Sequence, residues 1–408
     1  MKQVTTNSPA AKAASSRLWS IDALRGLVMF LMMAECLQIG AVVKNLHESG
    51  HDSKLWSLLL YHQSHVEWVG CVLHDMIQPT FSLLVGVVLP FSIAARQARG
   101  QSMPAMTAHA FGRAIVLVFL GVFLRSIYSS QTNFTFEDTL SQIGLGYGLL
   151  FLLGFRPARD QWIALAVILV GYWALFAFYP LPGASFDYAR VGVSADWLQK
   201  YGLSGFAAHW NKNSNPAWAF DAWFLNLFSR DKPFVCNFGG YATLSFIPTL
   251  GTMILGLIAG GVLRGQRSAW AMAGWLVAAG ALMLASGWLL GWAGICPVVK
   301  RIWTPSWVLF SGGVSYLMLA GFYVVMEIGQ WRGWALPLVV IGANSIAAYC
   351  MAHLFEDFIH KALLRHVSTR FFTAFGAAYE PFVLGASVFV TMWLILLWMY
   401  RKKLFLRI

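Results

Sequence analysis

Long apolar runs recur along this chain, and they constrain its fold more than any other feature. The first extends from Ile21 to Val43, and nine others follow at about 69–95, 108–128, 139–155, 160–180, 242–263, 268–292, 303–326, 334–357 and 381–400. A helix that crosses the hydrocarbon core of a bilayer needs about 20 such residues. We therefore predict an all-α membrane protein, a polytopic bundle of about ten transmembrane helices.

The composition excludes most other classes of protein. Only 11% of the 408 residues are charged and 58% are hydrophobic, whereas soluble globular domains carry about 25% charged residues. Aromatic residues reach 15%, which excludes a disordered chain. An ordinary soluble enzyme is therefore not expected.

The Lys and Arg residues predict an orientation. With the N-terminus placed inside, 14 of the 29 Lys and Arg residues fall on the inner side and 8 on the outer side. Because cytoplasmic loops carry an excess of positive charge, both termini are predicted to lie inside. The net charge of +12 is thus explained by topology, and since no nucleic-acid-binding motif accompanies it, no nucleic acid is predicted as a partner.

Three segments lie outside the predicted spans. Residues 1–20 are polar and rich in Ala and Ser, which predicts a cytoplasmic tail rather than a signal peptide. Residues 21–408 are predicted to form one transmembrane domain with outer loops at about 44–68 and 181–240. The aromatic residues of the longer loop suit either the membrane interface or stacking on sugar rings. Cys236 and Cys296 fall in outer loops, where a disulfide is compatible with an oxidising compartment.

The most informative stretch is HQSHVEWVGCVLHDMIQPTF, residues 62–81. Asp75 lies inside the second apolar run, where a carboxylate must be paired, protonated or exposed to a water-filled vestibule. His65 lies ten residues earlier, about 15 Å away along a straight helix. The two side chains can share a site only if the residues before Trp68 fold back over the helix mouth. His74 points about 100° away from Asp75 around a helix, which favours a packed or supporting position.

A histidine at a membrane mouth has three chemical uses. It can act as a general base, since its pKa lies near neutrality, as a nucleophile that carries an acyl group, or as a metal ligand. Other His and Glu residues are nearby, but neither H-E-x-x-H nor a paired C-x-x-C is present, so no metal is predicted. His47, His51 and His62 are interpreted as solvated loop residues.

Polar residues in two other apolar runs are candidates for binding. Asp22 and Arg25, three residues apart, can pair on one helix face, either as a structural salt bridge or in a functional role. Asn344, Ser345 and His353 lie in a late apolar run, where polar side chains and small residues also serve helix packing.

The late segment that contains Lys300 and Trp303 is predicted to lie at the same outer level as His65. Polar groups from several helices are therefore expected to converge on one site there.

Several of these stretches resemble the transmembrane heparan-α-glucosaminide N-acetyltransferase family and its bacterial relatives. They are SIDALRGLVMFLM, HVEWVGCVLHDMIQPTFSLLVG, PVVKRIWTPSW, NSIAAY and YRKKLF. The resemblance spans essentially the whole chain, and its most specific part runs from His65 to Gly86. It implies a multi-pass protein of the bacterial inner membrane, without the luminal domain of the lysosomal enzyme. The chain departs from the family pattern at Glu35–Cys36 and at Val299.

The family implies transfer of an acetyl group from cytosolic acetyl-CoA, across the membrane, to a glucosamine-type or other glycan acceptor. The active-site histidine of the family corresponds to His65 and its intramembrane aspartate to Asp75, which makes 21–408 an acyltransferase domain. The residues predicted to bind substrate or cofactor are Asp22, Arg25, Lys300, Trp303, Asn344, Ser345 and His353. The expected partners are acetyl-CoA, the glycan and the lipid bilayer, and a homodimer is compatible with them.

Two other functions use the same residues. A transporter or flippase for a glycan or a lipid-linked sugar would use the intramembrane polar groups as a pathway. A non-catalytic assembly subunit would leave His65 and Asp75 without a role. For the enzyme, the residues leave open N- or O-acetylation, and direct transfer or a transient acetyl-histidine.

Overall fold

The computed structural model describes residues 18–406, and every regular element in that range is a helix. The predicted tail, residues 1–20, lies almost entirely outside it. The α-helices are, in chain order, α1 (Trp19–Met33), α2 (Ile39–Glu48), α3 (Lys54–Gln63), α4 (Ile77–Ala98), α5 (Met103–Ser126), α6 (Thr139–Leu153), α7 (Ala158–Ala177), α8 (Ala195–Tyr201), α9 (Pro216–Phe224), α10 (Phe246–Leu263), α11 (Ala269–Trp292), α12 (Pro305–Tyr323), α13 (Leu336–Ala343), α14 (Ser345–Leu354), α15 (Glu356–His366), α16 (Thr369–Phe372) and α17 (Glu380–Arg401).

Short 3₁₀ and π segments join or extend several of these helices. The 3₁₀ segments are Ala34–Leu37, Leu73–Met76, Gly205–Trp210, Leu225–Leu227, Thr243–Ser245, Gly333–Ala335 and Ala377–Tyr379, and the π segment is Val324–Ile328.

The predicted helical membrane class is confirmed. Among residues 18–406, eight helical stretches are long and apolar enough to cross a membrane: α1 with α2, α4, α5, α7, α10, α11, α12 and α17. The count becomes nine if the bent pair α13 and α14 forms one span, and α6 is an apolar helix of only 15 residues. The structure therefore places a helix in each predicted run but supports eight or nine spans rather than about ten.

The predicted continuous run at 334–357 is broken in the structure. α13 and α14 meet at Asn344 and are bent by 67°. Asn344 leaves the helical region with φ −127° and ψ 41°, and its side chain bonds the backbone of Leu404 and Leu406 instead. An asparagine side chain that bonds backbone groups competes with helix hydrogen bonds, so the predicted span becomes two short helices.

Glycines set how closely the spans pack. α4 and α10 are among the most extensively packed helices, and the backbones touch because Gly86 and Gly256 face the opposite helix. A Cβ on Gly256 would lie 1.9 Å from the carbonyl oxygen of Leu83, and one on Gly86 1.9 Å from that of Met253. Gly256 and Gly260 form the G-x-x-x-G spacing that membrane helices use for close approach. α4, which positions Asp75, is thereby held directly against α10.

Replacing Gly256 with alanine is expected to destabilise the protein by about 1–3 kcal/mol, since the new methyl group must push two backbones apart. Gly261→Ala is the matched control on the same helix, because nothing lies within 4 Å of a Cβ there. Thermal unfolding of the two purified variants in one detergent tests this. Equal midpoints would show that the α4–α10 contact does not depend on glycine.

The outer faces of the helices carry large apolar side chains. Phe119, Val167 and Leu282 are 63%, 66% and 69% exposed, which in water would leave an apolar surface far larger than monomeric soluble proteins tolerate. Such surfaces match lipid tails. The chain is a multi-pass membrane protein.

Residues 181–242 fold into a lobe at one end of the bundle, which we call the outer lobe after its predicted location. It has its own core, in which Trp197 and Trp210 are buried against Trp68. These tryptophans of the predicted outer loop therefore pack inside the protein. Cys236 and Cys296 are both free thiols, and Cys296 Sγ accepts a hydrogen bond from the Ser306 hydroxyl. The other predicted loop, 44–68, is largely helical because α2 and α3 occupy it.

Candidate active site

The segment before α4 does not continue the helix. Residues 64–72 form an irregular segment between α3 and the 3₁₀ segment Leu73–Met76, and Val69 forms an isolated antiparallel bridge with Val299. Gly70 donates its N–H to the carbonyl of Val298 at 3.0 Å and has φ +121°, which favours glycine. The chain thus folds back over the mouth of α4, as a shared site for His65 and Asp75 requires.

His65, Asp75 and Lys300 meet at this point. His65 Nδ1 lies 2.7 Å from Asp75 Oδ1, and Lys300 Nζ lies 3.1 Å from the same oxygen. The other oxygen, Asp75 Oδ2, accepts the backbone N–H groups of Val66 and Val72. Lys300 Nζ also lies 3.2 Å from His65 Nδ1. Because an ionised carboxylate only accepts hydrogen bonds and the Asp75 contact at 2.7 Å is the shorter one, we assign the ring proton of His65 to Nδ1. Its Nε2 then holds a lone pair and is available for chemistry.

Burial and charge keep this imidazole neutral at neutral pH. Asp75 and Lys300 are buried, whereas the His65 side chain is 38% exposed. Partial burial lowers the pKa of His65, Asp75 opposes this, and the ammonium of Lys300 lowers the pKa further. Burial also lowers the pKa of Lys300 against the attraction of Asp75. A neutral imidazole beside a carboxylate is the arrangement of a general base.

The outer lobe holds the His65 segment in place. Trp68 donates its Nε1–H to the carbonyl of Trp210 at 3.1 Å, and Trp197 Nε1 donates to Glu67 Oε1 at 2.7 Å. Arg301 donates to the carbonyl of Val66 at 3.2 Å. Val66 and the two residues after it are therefore anchored, which limits the motion of the adjacent His65.

The exposed side of His65 faces a cavity of about 520 Å³, here called the His65 cavity. The ring of His74 lies 4.6 Å from that of His65, between ring centroids. His74 Nε2 in turn contacts Glu35 Oε1 at 3.1 Å. The polar residues that line the rest of the cavity are Gln78, Arg125, Glu137, Asp138, Thr139, Tyr241, Lys300, Tyr349, His353 and Glu356.

A second cavity of about 570 Å³ lies toward the opposite end of α4, and we call it the arginine cavity. Its basic lining residues are Arg25, Arg96, Arg99, His109 and Arg113. The Nε of Arg113 is buried without a hydrogen-bond partner among the described residues, although its Nη1 reaches Tyr147 at 3.2 Å. Phe81 lines both cavities, so its side chain is part of the wall of each.

The other residues predicted to bind substrate or cofactor lie in different parts of the structure. His353 lines the His65 cavity together with Lys300. Arg25, which pairs with Asp22 at 3.6 Å, and Ser345 line the arginine cavity or its edge.

Three of the predicted binding residues, Asp22, Trp303 and Asn344, line neither cavity. Trp303 is buried and donates to Thr252 at 3.0 Å. Asn344 lies at the bend between α13 and α14 and donates to the carbonyl of Leu404 at 3.0 Å.

Several residues of the His65 cavity were not predicted as site residues. The sequence marks Glu35 only as a departure from the family pattern and predicts a packed or supporting position for His74, and it singles out neither Glu356 nor Phe81. Glu35 and His74 are ionisable residues in two different apolar runs, and both lie near the predicted outer end of their run. This shared position is the signal that could have paired them. Nothing in the sequence singles out Phe81. Among residues 18–406, no group of three or more His, Cys, Asp or Glu residues could hold a metal ion.

Comparison with known proteins supports a relationship to acetyltransferases. No family model matches the chain. The chain is 22% identical over 441 residues to heparan-α-glucosaminide N-acetyltransferase of Mus musculus, and 22% identical over 436 residues to that of Homo sapiens. These alignments cover 97% and 96% of this chain but only 61% and 60% of the relatives. The chain is thus a distant relative of the heparan-α-glucosaminide N-acetyltransferases.

Proposed function

We propose that this protein is a transmembrane acetyltransferase that moves an acetyl group from acetyl-CoA to an amine or hydroxyl group of a glycan. The observation that carries the proposal is the His65–Asp75–Lys300 cluster at the wall of one cavity, with the arginine cavity beginning on the other side of Phe81. The names of the distant relatives support the same reaction class. The proposed location is the inner membrane of a bacterial cell, with the arginine cavity on the cytosolic side.

The arginine cavity suits the donor. Acetyl-CoA carries phosphate groups, which arginine recognises through planar, charge-assisted hydrogen bonds. The buried Nε–H of Arg113 has no hydrogen-bond partner among the described residues, so it can donate a hydrogen bond to a phosphate oxygen. We place the nucleotide of the donor there, with the thioester end directed past Phe81 toward His65.

His65 supplies the proton transfer. In the proposed direct route, Nε2 takes a proton from the acceptor as the acceptor atom bonds the thioester carbonyl carbon. The carbon–sulfur bond then breaks, and the proton is returned to the departing thiolate of CoA. Asp75 holds the Nδ1–H tautomer and stabilises the imidazolium that forms. Lys300 balances the charge of Asp75, so that the resting imidazole stays neutral.

The test uses the full chain in sealed proteoliposomes with labelled acetyl-CoA on one side and an amino sugar or glycan on the other. We expect labelled acetyl groups on the acceptor and free CoA on the donor side. Acceptor and donor placed on the same, non-cytosolic side should give no product. Ion-coupled uptake of the sugar without acetyl transfer would instead support a transporter.

A donor-only reaction separates the two chemical routes. CoA release of one equivalent per protein, with an acetyl group retained on His65, would establish the two-step route. Release only in the presence of acceptor supports direct transfer.

A further inference from the structure

One face of α4 lines both cavities. Gln78 and Phe81 line the His65 cavity, and Phe81 also lines the arginine cavity. The series continues along the arginine cavity through Val85, Val88, Ser92 and Arg96. Its successive members are three or four residues apart, which is the spacing of one side of an α-helix. A molecule that reaches from the arginine cavity to His65 would therefore follow this face of α4.

Gln78 lies on this face between Asp75 and Phe81. It follows Asp75 by three residues and precedes Phe81 by three, which is about one helical turn in each direction. Asp75 holds the imidazole of His65 at 2.7 Å, and Gln78 and His65 line the same cavity. An acetyl group that arrives past Phe81 therefore comes next to Gln78 before it meets the imidazole.

The side-chain amide of Gln78 is an unused hydrogen-bond donor. The residue is half-buried, and its amide makes no hydrogen bond to another side chain or backbone group within residues 18–406. The charged donors of the cavity differ in this respect, since Lys300 pairs with Asp75 at 3.1 Å and Arg125 lies 3.8 Å from Glu137. Because most partly buried polar groups are paired, the free amide points to a ligand as its partner.

The other neutral donors of the cavity belong to other elements. Thr139 lies at the start of α6, Tyr241 belongs to the outer lobe, and Tyr349 lies on α14, where its ring stacks on that of His353. None of these three is on the face of α4 that lines both cavities. Gln78 is thus the neutral donor placed on the path that we propose for the thioester.

We propose that Gln78 is a further catalytic residue that donates an N–H to the carbonyl oxygen of the acetyl thioester, an inference that rests on the proposed acetyl transfer. As the attacking atom bonds the carbonyl carbon, the π electron pair of the carbonyl moves onto the oxygen, which becomes negatively charged. An amide N–H aimed at this oxygen stabilises the charge. The pair returns when the carbon–sulfur bond breaks and the CoA thiolate departs, so the amide neither gains nor loses a proton.

The same oxygen becomes negative whichever nucleophile attacks. The acceptor in the direct route, Nε2 of His65 in the two-step route and water in the slow hydrolysis of acetyl-CoA all form a tetrahedral intermediate at this carbon. Gln78 is therefore expected to act on transfer and hydrolysis alike. A residue that contacts only the acceptor would affect transfer alone.

Gln78→Met tests the assignment, because methionine has a similar length but no N–H. The full chain in nanodiscs is assayed with acetyl-CoA and glucosamine. We expect kcat for transfer to fall about 10²- to 10³-fold, the usual effect of removing one such donor. Hydrolysis of acetyl-CoA without glucosamine should slow by the same factor, whereas the KM for glucosamine should not change. Gln78→Glu, which keeps the shape but replaces the donor with a carboxylate, should lose at least as much.

Gln97→Met is the matched control, since this exposed glutamine lies on the same helix but lines neither cavity. It should keep wild-type rates of transfer and hydrolysis.

Infrared spectroscopy gives a readout that a purely structural role would not move. In His65→Ala, acetyl-CoA labelled with ¹³C at the thioester carbonyl should bind with little turnover. A hydrogen bond from Gln78 weakens the carbon–oxygen bond, so the carbonyl stretch should lie at a lower frequency than in the double variant that also carries Gln78→Met.

Wild-type kcat in Gln78→Met, or an effect confined to the KM for glucosamine, would overturn the assignment and leave acetyl transfer in place. Equal carbonyl frequencies in the two infrared samples would overturn it as well. A wild-type protein that neither transfers nor hydrolyses acetyl groups would instead refute the proposed function, and the role of Gln78 with it.

Discussion

His65→Ala is expected to lower kcat for acetyl transfer by about 10²- to 10⁴-fold, the usual contribution of a positioned general base. The variant should fold normally, because the side chain is 38% exposed and its removal leaves the Asp75–Lys300 pair intact. In the wild-type protein the active form is the neutral imidazole, whose pKa lies below its ordinary value of 6.5. Activity should therefore be full above pH 6.5 and fall as the pH drops through this lowered pKa.

The matched control is His62→Ala, an exposed histidine three residues earlier. It should retain wild-type turnover. A His65→Ala protein that keeps its activity would exclude this histidine as base and as acetyl carrier. An acid limb that persists in residual activity of the variant would assign the titration to another group.

Asp75→Asn is expected to have the second largest effect, because it acts on both stability and turnover. The substitution leaves Lys300 buried without its counter-ion, and breaking a buried pair in this way costs about 3–5 kcal/mol. It also removes the acceptor that fixes the tautomer of His65, which in a related catalytic arrangement costs about 10⁴-fold in kcat. Thermal unfolding and initial rates of acetyl transfer measure the two effects.

A double variant separates the two consequences. Asp75→Asn combined with Lys300→Met removes both charges, so stability should recover most of the loss while turnover stays low. If the double variant regains turnover, Asp75 serves the fold and not the chemistry. If Asp75→Asn alone unfolds like the wild type, the ion pair contributes little in the protein.

Much of the site could be predicted from the sequence because its central residues are close in the chain. His65 and Asp75 are ten residues apart, and the cost of a bare carboxylate inside an apolar run marked Asp75. Helix geometry predicts that His65 and Asp75 can meet only if the chain before α4 folds back. The bridge between Val69 and Val299 holds the chain in such a fold-back. The partner that completes the cluster, Lys300, is 235 residues from His65, and the sequence indicated only that it lies at the same level.

Other features had no local signal. The contact between His74 and Glu35 joins the first span to the segment before α4, and because the two residues are far apart in the chain, neither segment alone indicates it. In the sequence, Phe81 is an ordinary apolar residue of α4. Only the packing of the helices makes it part of the lining of both cavities. The break at Asn344 depends on the backbone of residues 404–406, sixty residues later.

The sequence by itself determined the class of this protein, a multi-pass helical membrane protein, because the requirement for about 20 apolar residues per span acts locally on the chain. It also marked the His65-to-Asp75 stretch as the candidate site. Only the tertiary structure decided which polar groups share a cavity, how the ions are paired and where the spans bend. These properties depend on contacts between residues far apart in the chain, such as the glycine-mediated approach of α4 to α10, and no local pattern encodes them.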